Sequence, residues 1–244
     1  MNSDESPAPL KNSRFVVAID GPAGAGKSTI ARHLARHFGL LNLETGAMYR
    51  AFALKALRAG IPLDDSSALG QLAAETSISL EPGGEENRVL LDGEDVTGQI
   101  RSQAVTDAAS RVSVFPPIRA AMVSRQQEMG ANGGVVMEGR DIGTVVFPTA
   151  EVKIFLDAAP EVRGMRRYEQ IEQRGQKTAP QPAEVIRDLR ARDERDRNRK
   201  DSPLRPAPDA LLLDSTNMTL EEAVNAAESA VNAWLAKNPA AIPD

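Results

Sequence analysis

One stretch of the sequence, GPAGAGKS at positions 21–28, has the residue types and spacing of a phosphate-binding loop, G-x-x-x-x-G-K-[ST]. It follows an apolar run, FVVAID at positions 15–20, and opens an amphipathic stretch. Ile30, Leu34 and Phe38 recur on one side of that stretch before Gly39, a predicted helix C-cap. Glycines let the backbone curl until successive N–H groups face one point, and the helix N-terminus adds positive potential there.

The side chains of this loop indicate which ligand it holds. Lys27 can reach the β- and γ-phosphates of a nucleotide, and the Ser28 hydroxyl can hold Mg²⁺. The motif therefore predicts binding of a nucleoside triphosphate, with ATP and Mg²⁺ as the expected pair. The predicted nucleotide-binding residues are Gly21, Pro22, Ala23, Gly24, Ala25, Gly26, Lys27, Ser28 and Thr29.

A phosphate loop alone does not separate kinases from GTPases, motor ATPases or transporters. The guanine-reading pattern Asn-Lys-x-Asp does not occur in the chain. A phosphotransferase needs a second anion site, for which arginine is the best-suited side chain. Two short stretches offer one: in TGAMYR, Thr45 can cap a helix with Arg50 in its second turn, and in EGRDIGT, Arg140 and Asp141 follow an apolar run.

A third candidate is RARDERDRNRKDSPLRP, positions 190–206, which alternates acids and bases. A helix over this region should begin near Pro182, because proline suits a first turn. At about 100° per residue, one stripe of that helix holds Val185, Leu189, Arg192, Asp196 and Arg199. Arg195 flanks the stripe, while Asp193, Glu194 and Arg197 fall outside it and are predicted to be surface charges.

The stripe is apolar at its start and rich in arginine at its end, whereas a surface helix keeps its charges opposite its apolar face. Either the helix extends past the core into solvent, or the arginines line a cleft with Asp196 as a fixed partner. The phosphate loop and the two other arginine-bearing stretches favour the cleft.

His33 and His37 lie four residues apart and resemble half of a metal site. No glutamate follows the first histidine as in zincins, and the sequence suggests no third ligand. We therefore predict an exposed helix face with no assigned role.

Composition limits the remaining possibilities. The chain has 244 residues, 41% of them hydrophobic, a net charge of -5 and no cysteine. The negative charge argues against binding to nucleic acid, and the lack of cysteine excludes disulfides and thiolate metal sites. No apolar stretch is long enough to span a membrane, and the polar start MNSDESPAPLKNSR does not resemble a signal peptide. We expect a cytoplasmic monomer whose partners are small-molecule nucleotides, with no nucleic-acid or membrane partner.

Five apolar runs without polar alternation predict strands that are buried on both faces. Helical stretches separate them, which favours a P-loop NTPase-type three-layer α/β fold with a five-stranded parallel sheet. The runs are FVVAID (15–20), LLNLE (40–44), GVVME (134–138), VKIFLD (152–157) and ALLLD (210–214).

Two segments interrupt this pattern. Residues 77–98 alternate apolar and polar positions around Gly-Gly and Asp-Gly pairs, which predicts short antiparallel strands joined by tight turns. Residues 166–182 are basic and end in prolines, which fits either a second insertion or an exposed helix and loop.

Six motifs together resemble the bacterial cytidylate kinases, a family of nucleoside monophosphate kinases. They are IDGPAGAGKST, LETGAMYRAFALKAL, DGEDVTGQIR, EGRDIGTVVFPTAEVKIFLDA, RDERDRNR and DALLLDST. The resemblance runs from about residue 14 to about residue 235. It implies a single domain over residues 14–236 with a nucleotide-monophosphate-binding insertion at about 62–122 and a short lid at about 164–182. Residues 1–13 and 237–244 would be tails.

The resemblance also implies transfer of the γ-phosphoryl group of ATP to CMP or dCMP. Arg199 and Arg166 would approach the transferring group, together with Lys27 and Arg140. The implied acceptor site comprises Thr45, Arg50, Ser110, Arg119, Arg140, Asp141, Arg192 and Asp196.

The chain departs from many relatives at two places: Glu44-Thr45 replaces Asp-Ser, and Lys27-Ser28-Thr29 replaces Lys-Gly-Thr. Both changes preserve the carboxylate or hydroxyl chemistry, but the added methyl of Thr45 leaves the preference between CMP and dCMP open. A kinase of this fold with another acceptor, such as UMP, AMP or shikimate, is the nearer alternative. A non-catalytic nucleotide sensor or nucleic-acid-binding protein is the distant one.

Overall fold

The computed structural model describes residues 15–81, 83, 87–173 and 181–241. The predicted N-terminal tail, residues 1–13, lies outside the described residues, as do residues 242–244 of the predicted C-terminal tail. The chain forms two compact units: Leu41–Asn132 is one, and the segments on either side of it make up the other.

In chain order, the first half contains β1 (Val16–Asp20), α1 (Lys27–Phe38), β2 (Leu41–Glu44), α2 (Thr45–Arg58), α3 (Ser66–Ala74), β3 (Ile78–Glu81), β4 (Arg88–Leu91), β5 (Glu94–Asp95), α4 (Gln103–Val112) and α5 (Pro116–Gly130). The second half contains β6 (Val135–Gly139), β7 (Val152–Asp157), α6 (Pro160–Gln173), α7 (Pro182–Asn198), β8 (Leu211–Asp214) and α8 (Leu220–Lys237). A π-helical turn spans Ile142–Val146, and 3₁₀ turns span Gln99–Arg101 and Pro239–Ala241.

The larger sheet has five strands in the order β2-β6-β1-β7-β8. Strand β1 pairs in parallel with β6 and β7, and β7 pairs in parallel with β8. All five predicted strands are confirmed to within one residue at each end. The carboxyl ends of parallel strands meet at one edge of a sheet, and ligands bind there in folds of this kind.

The prediction that all five strands are buried on both faces is wrong for two of them. The central strands β1, β6 and β7 are buried almost throughout, but β2 and β8 lie at the sheet edges. In β8, Leu211 is 41% and Leu212 65% exposed. A run of leucines has the same pattern in an edge strand as in a central one, so the sequence does not distinguish them.

The core of the unit that contains the phosphate loop lies where α1 and α8 cover the sheet. Ile30, Leu34 and Phe38 of α1 are buried in it, as their spacing predicted. Helix α1 ends at Gly39, whose φ of 64° is the left-handed conformation of a glycine C-cap. Helix α8 begins with a capping box between Thr219 and Glu222.

Unit Leu41–Asn132 contains the predicted antiparallel strands. Strand β4 pairs with β3 on one side and β5 on the other. Asp92 and Gly93, with φ values of 49° and 86°, form the tight turn before β5 that the Asp-Gly pair predicted. The Gly-Gly turn falls partly outside the described residues. Helices α2, α4 and α5 pack with this sheet around a second core that includes Met48, Phe52 and Ile118.

The second interrupting segment begins inside a helix. Residues 166–173 are the last turns of α6, and residues 174–180, which belong to the predicted lid, lie outside the described part of the chain. Helix α7 begins at Pro182, as predicted, with Gln181 and Glu184 forming a capping box. None of the described helices combines the length and apolar character needed to cross a bilayer.

Candidate active site

The phosphate loop has the curled backbone that its glycines predicted. Gly21, Gly24 and Gly26 have φ values of 146°, 77° and 101°, which side-chain-bearing residues rarely adopt. A Cβ atom on Gly21 would lie 1.9 Å from the carbonyl oxygen of Leu156. The loop therefore passes so close to β7 that only glycine fits at this position, and α1 begins directly behind it.

Lys27 is a buried cation at the end of this loop. Its side chain is 6% exposed, and Nζ donates a hydrogen bond of 2.8 Å to the carbonyl of Pro22. Burial, helped by the positive charges of Arg140 and Arg192, lowers the pKa of Lys27 to about 7, although Glu138 opposes the shift. A lysine with such a depressed pKa gains strongly from a bound anion, which fits the phosphates of a nucleotide.

Asp20, at the carboxyl end of β1, holds the loop that carries Arg140 and Asp141. Its two carboxylate oxygens accept hydrogen bonds from the backbone N–H groups of Ile142 (2.8 Å) and Gly143 (2.7 Å). Burial raises the pKa of Asp20 to about 6, against the effect of these two hydrogen bonds. No motif in the sequence predicted this role. An acid closing an apolar strand next to the phosphate loop was the available signal.

Asp196 of α7 joins the predicted arginines. Its Oδ2 accepts a hydrogen bond of 3.0 Å from Nε of Arg140, and Arg199 lies 3.8 Å from Asp196 and from Asp141. Burial alone would raise the pKa of Asp196, but Arg140, Arg192 and Arg199 outweigh it and hold that pKa below its usual value. Asp196 and Arg199 face inward, as the stripe predicted, with side chains that are 8% and 4% exposed.

The prediction that Asp193 is a surface charge is wrong. Asp193 is 7% exposed, and its Oδ2 accepts a hydrogen bond of 2.5 Å from Arg163 of α6. Arg163, which is 2% exposed, also donates to the carbonyls of Ala158 (2.7 Å) and Ala23 (2.9 Å). Because α6 packs along α7, the buried arc of α7 is wider on this side than its apolar residues indicated. Arg163 thereby ties the phosphate loop to both helices.

The other charged residues discussed for α6 and α7 lie at the surface or contact a neighbouring loop. Glu194 and Arg197 are exposed, as predicted, and Arg197 pairs with Asp157 at 3.1 Å. Arg166 donates to the hydroxyl (3.1 Å) and the carbonyl (2.8 Å) of Ser215, which directly follows β8. The loop after β8 therefore fixes the guanidinium of Arg166.

In unit Leu41–Asn132, the expected cap at Thr45 is not formed. Thr45 is the first residue of α2 and is 4% exposed, while Glu44 occupies the N-cap position without a side-chain capping bond. Arg50 lies in the second turn, as predicted, and donates a 2.6 Å hydrogen bond to Glu44. The carboxylate that the sequence placed beside Thr45 therefore orients Arg50.

Arg119 and Ser110 are both buried in the same unit, at 4% and 5% exposure. Arg119 donates to the carbonyl of Ser113 (3.2 Å), and its guanidinium lies 5.9 Å from the ring centroid of Tyr49. The two arginines that were predicted for the acceptor site in this unit, Arg50 on α2 and Arg119 on α5, thus each have a named partner.

A glycine-rich loop between the first strand and first helix of a parallel sheet, with a buried lysine and an arginine cluster, defines a P-loop phosphate-binding protein of α/β class. A family model described as Cytidylate kinase matches residues 17–233. The chain belongs to the cytidylate kinase family.

Relatives of known name agree with this assignment. Cytidylate kinase from Pasteurella multocida is 45% identical, with 92% of this chain and 98% of the relative covered. Cytidylate kinase from Solibacter usitatus is 50% identical, with 88% of this chain and 91% of the relative covered. Among solved structures, shikimate kinase from Acinetobacter baumannii aligns over 94% of this chain and 98% of its own, with 16% identity and a TM-score of 0.44.

Proposed function

We propose that this protein transfers the γ-phosphoryl group of ATP to CMP or dCMP, giving ADP and CDP or dCDP. Family membership supports the reaction class. The observation that carries the proposal is the buried cationic cluster around Lys27, in which Arg140 and Arg192 lower the lysine pKa. Glu138 and Asp196 balance part of this positive charge in the free protein, and two phosphorylated substrates would add further negative charge.

For the donor, the backbone N–H groups of residues 21 and 23–29 and the side chain of Lys27 would hold the phosphates. Ser28, in the first turn of α1, would hold Mg²⁺, the hard cation that prefers oxygen ligands. When bound, this ion would neutralise charge between the phosphates. The glycines let the loop curl against its neighbours: a Cβ atom would lie 1.9 Å from the carbonyl oxygen of Leu156 at Gly21 and 3.2 Å from that of Arg163 at Gly24.

For the acceptor, we propose that guanidinium groups hold the phosphate of CMP and that short polar side chains read its base and sugar. Arginine suits the first task because its planar fork matches a phosphate with two hydrogen bonds. The residues are Thr45, Arg50, Ser110, Arg119, Arg140, Asp141, Arg192 and Asp196. The segment at about 62–122 would be the acceptor-binding insertion, and the segment at about 164–182 the lid.

The chemistry is an in-line displacement. A phosphate oxygen of CMP forms a bond to the γ-phosphorus as the bond to the β,γ-bridging oxygen breaks, and ADP carries away the electron pair. No general base is required because the attacking oxygen is already anionic. The catalytic role of the protein is positioning and charge stabilisation by Lys27, Arg140, Arg166 and Arg199.

An acceptor panel tests the proposal. Untagged protein is assayed with ATP and Mg²⁺ against CMP, dCMP, UMP, AMP and shikimate, with ADP release followed by a coupled assay. We expect CMP and dCMP to have the highest kcat/KM. A higher kcat/KM for UMP, AMP or shikimate would reassign the acceptor, and ADP release that is the same without any acceptor would refute the kinase function.

A further inference from the structure

The two histidines of the chain lie on one face of α1 and meet a carboxylate from α8. Nε2 of His33 lies 2.9 Å from Oε2 of Glu228, and Nε2 of His37 lies 3.4 Å from Oε1 of the same residue. The two imidazole rings are 5.8 Å apart and within 19° of parallel. The third ligand that the sequence did not suggest therefore comes from a helix that is distant along the chain.

The distances between the three ligand atoms resemble those between three of the four ligands in a tetrahedral metal site. In tetrahedral zinc sites the ligand atoms lie about 2.0–2.2 Å from the ion, and hence about 3.3–3.5 Å from one another. The nitrogen–oxygen distances here are 2.9 and 3.4 Å, and the ligand atoms of the three residues all lie within 4.8 Å of one another. The three side chains are therefore close enough together to bind one ion.

The three side chains are partly accessible to solvent, and therefore to an ion. The side chains of His33, His37 and Glu228 are 35%, 29% and 25% exposed, so all three are held by the helices yet reach solvent. Helices α1 and α8 share the apolar core, which fixes the ligands relative to one another. His33 lies six residues beyond Lys27, or about 9 Å along the helix axis, so this cluster is separate from the phosphate loop.

We propose that His33, His37 and Glu228 bind a divalent transition-metal ion, of which Zn²⁺ fits best, with water as the fourth ligand. Two imidazoles and one carboxylate suit Zn²⁺, whereas Mg²⁺ prefers oxygen ligands and nearly ideal octahedral geometry. The bound ion would join α1 to α8 and stabilise the fold that carries the phosphate loop.

The competing explanation is a hydrogen-bonded cluster with no metal. In that case a ring N–H of each histidine donates to Glu228, which uses the nitrogen that a metal would need. The two explanations differ in one measurable respect, because only the metal site responds to added Zn²⁺.

The first experiment is calorimetric titration of ZnCl₂ into untagged, nucleotide-free protein, with excess Mg²⁺ present. We expect one ion per chain, at least about 100-fold weaker binding in His37→Gln and Glu228→Gln, and unchanged binding in Glu221→Gln. Glu221 is an exposed acid on the same helix, so its variant controls for loss of charge. Equal binding in all four proteins would overturn the proposal.

The second experiment uses the fact that the chain has only two histidines, so that its NMR spectrum contains two sets of imidazole signals. One equivalent of Zn²⁺ should shift both sets, and Zn²⁺ at 100 times its Kd should raise the Tm by about 5 °C. Zn²⁺ that leaves the imidazole signals unmoved would show that it binds elsewhere. The assay with CMP separates this proposal from the kinase function, because His37→Gln should retain the activity of the unmodified chain.

Discussion

At the scale of single residues, Lys27 is proposed to bind phosphate, yet burial of its charge lowers the stability of the folded protein. Its ammonium group is buried beside two arginines, and its pKa is lowered to about 7. The charged form is therefore disfavoured in the folded protein without nucleotide. This penalty is fully present below about pH 7 and falls as the pH rises from about 7 toward 10.5, because the folded protein then releases a proton that the unfolded chain retains.

Lys27→Met should therefore separate stability from activity. We expect kcat to fall at least about 100-fold, the effect of removing one electrostatic stabiliser. The Tm of the nucleotide-free variant should rise by about 2–4 °C at pH 6.5, the shift that about 1 kcal/mol produces in a protein of this size. Thermal melts at pH 6.5 and pH 9 check the sign: the gain should be smaller at pH 9. A Tm below that of the unmodified protein at both values would contradict the buried-charge argument.

The arginines of α7 should differ in whether they act mainly on turnover or on CMP binding. Arg199 is 4% exposed and lies 3.8 Å from Asp141 and from Asp196. We expect Arg199→Ala to lower kcat about 100-fold with a smaller change in CMP affinity. Arg192→Ala should mainly weaken CMP binding, measured by calorimetry. Arg195→Ala removes an exposed arginine of the same helix and serves as the control, with both quantities unchanged. An unaltered CMP affinity in Arg192→Ala would remove that residue from the acceptor site.

Helical spacing predicted the inward position of Asp196 and Arg199 but not that of Asp193. Spacing alone ranks positions around a helix by angle from its apolar residues, and Asp193 lies about 80° from the centre of the stripe at 100° per residue. Its burial depends on Arg163, a residue 30 positions earlier on α6. Such a pairing depends on tertiary packing, which no local pattern records.

At the scale of elements, the pair Arg163–Asp193 links α6 to α7, and the hydrogen bond to Ala23 extends the link to the phosphate loop. A buried ion pair is costly to break because the remaining charge loses its partner in a medium of low polarity. The same helix α7 carries a contrasting pair, Arg197 with Asp157, whose side chains are 46% and 37% exposed. Exposed pairs contribute little.

Two matched variants measure how much more the buried ion pair stabilises the folded protein than the exposed ion pair does. Arg163→Met should lower the free energy of unfolding by about 3–5 kcal/mol, and Arg197→Met by about 0–1 kcal/mol, in urea titrations followed by circular dichroism. The double variant Arg163→Met/Asp193→Asn should recover part of the loss, because it removes both charges together. Equal losses in the two single variants would show that burial does not govern the strength of these pairs.

Strand positions were predictable because five apolar runs alternate with helical stretches, and all five runs form strands in one sheet. The pattern of apolar residues did not distinguish edge strands from central strands. The exposure of Leu212 on β8, at 65%, follows from the order of the strands and not from their composition. Likewise, Glu228 could not be assigned to His33 and His37 because α1 and α8 lie almost 200 residues apart in the chain and come into contact only once the chain has folded.

At the scale of the whole molecule, the proposed donor and acceptor residues are distributed unequally between the two compact units. The phosphate loop lies in the unit formed by the segments before and after Leu41–Asn132, and Arg119 lies in unit Leu41–Asn132. A ligand that binds only the folded state raises the Tm in proportion to the logarithm of its concentration over Kd. The rise in Tm that a ligand causes, compared between variants in the two units, therefore shows which unit holds the residues that bind that ligand.

We expect the ATP analogue AMPPNP with Mg²⁺, and CMP separately, each to raise the Tm by about 5 °C at 100 times Kd. Lys27→Met should lose most of the AMPPNP shift and retain the CMP shift, whereas Arg119→Met should do the reverse. Arg125→Met is the control: Arg125 is also on α5 and also donates to backbone carbonyls, those of Ala73 and Thr76. It should lower the Tm without ligand yet retain both shifts, because its contacts hold α5 in place and are not proposed to touch substrate. If Arg119→Met and Arg125→Met behave alike, Arg119 only supports the fold of its unit and does not belong to the acceptor site.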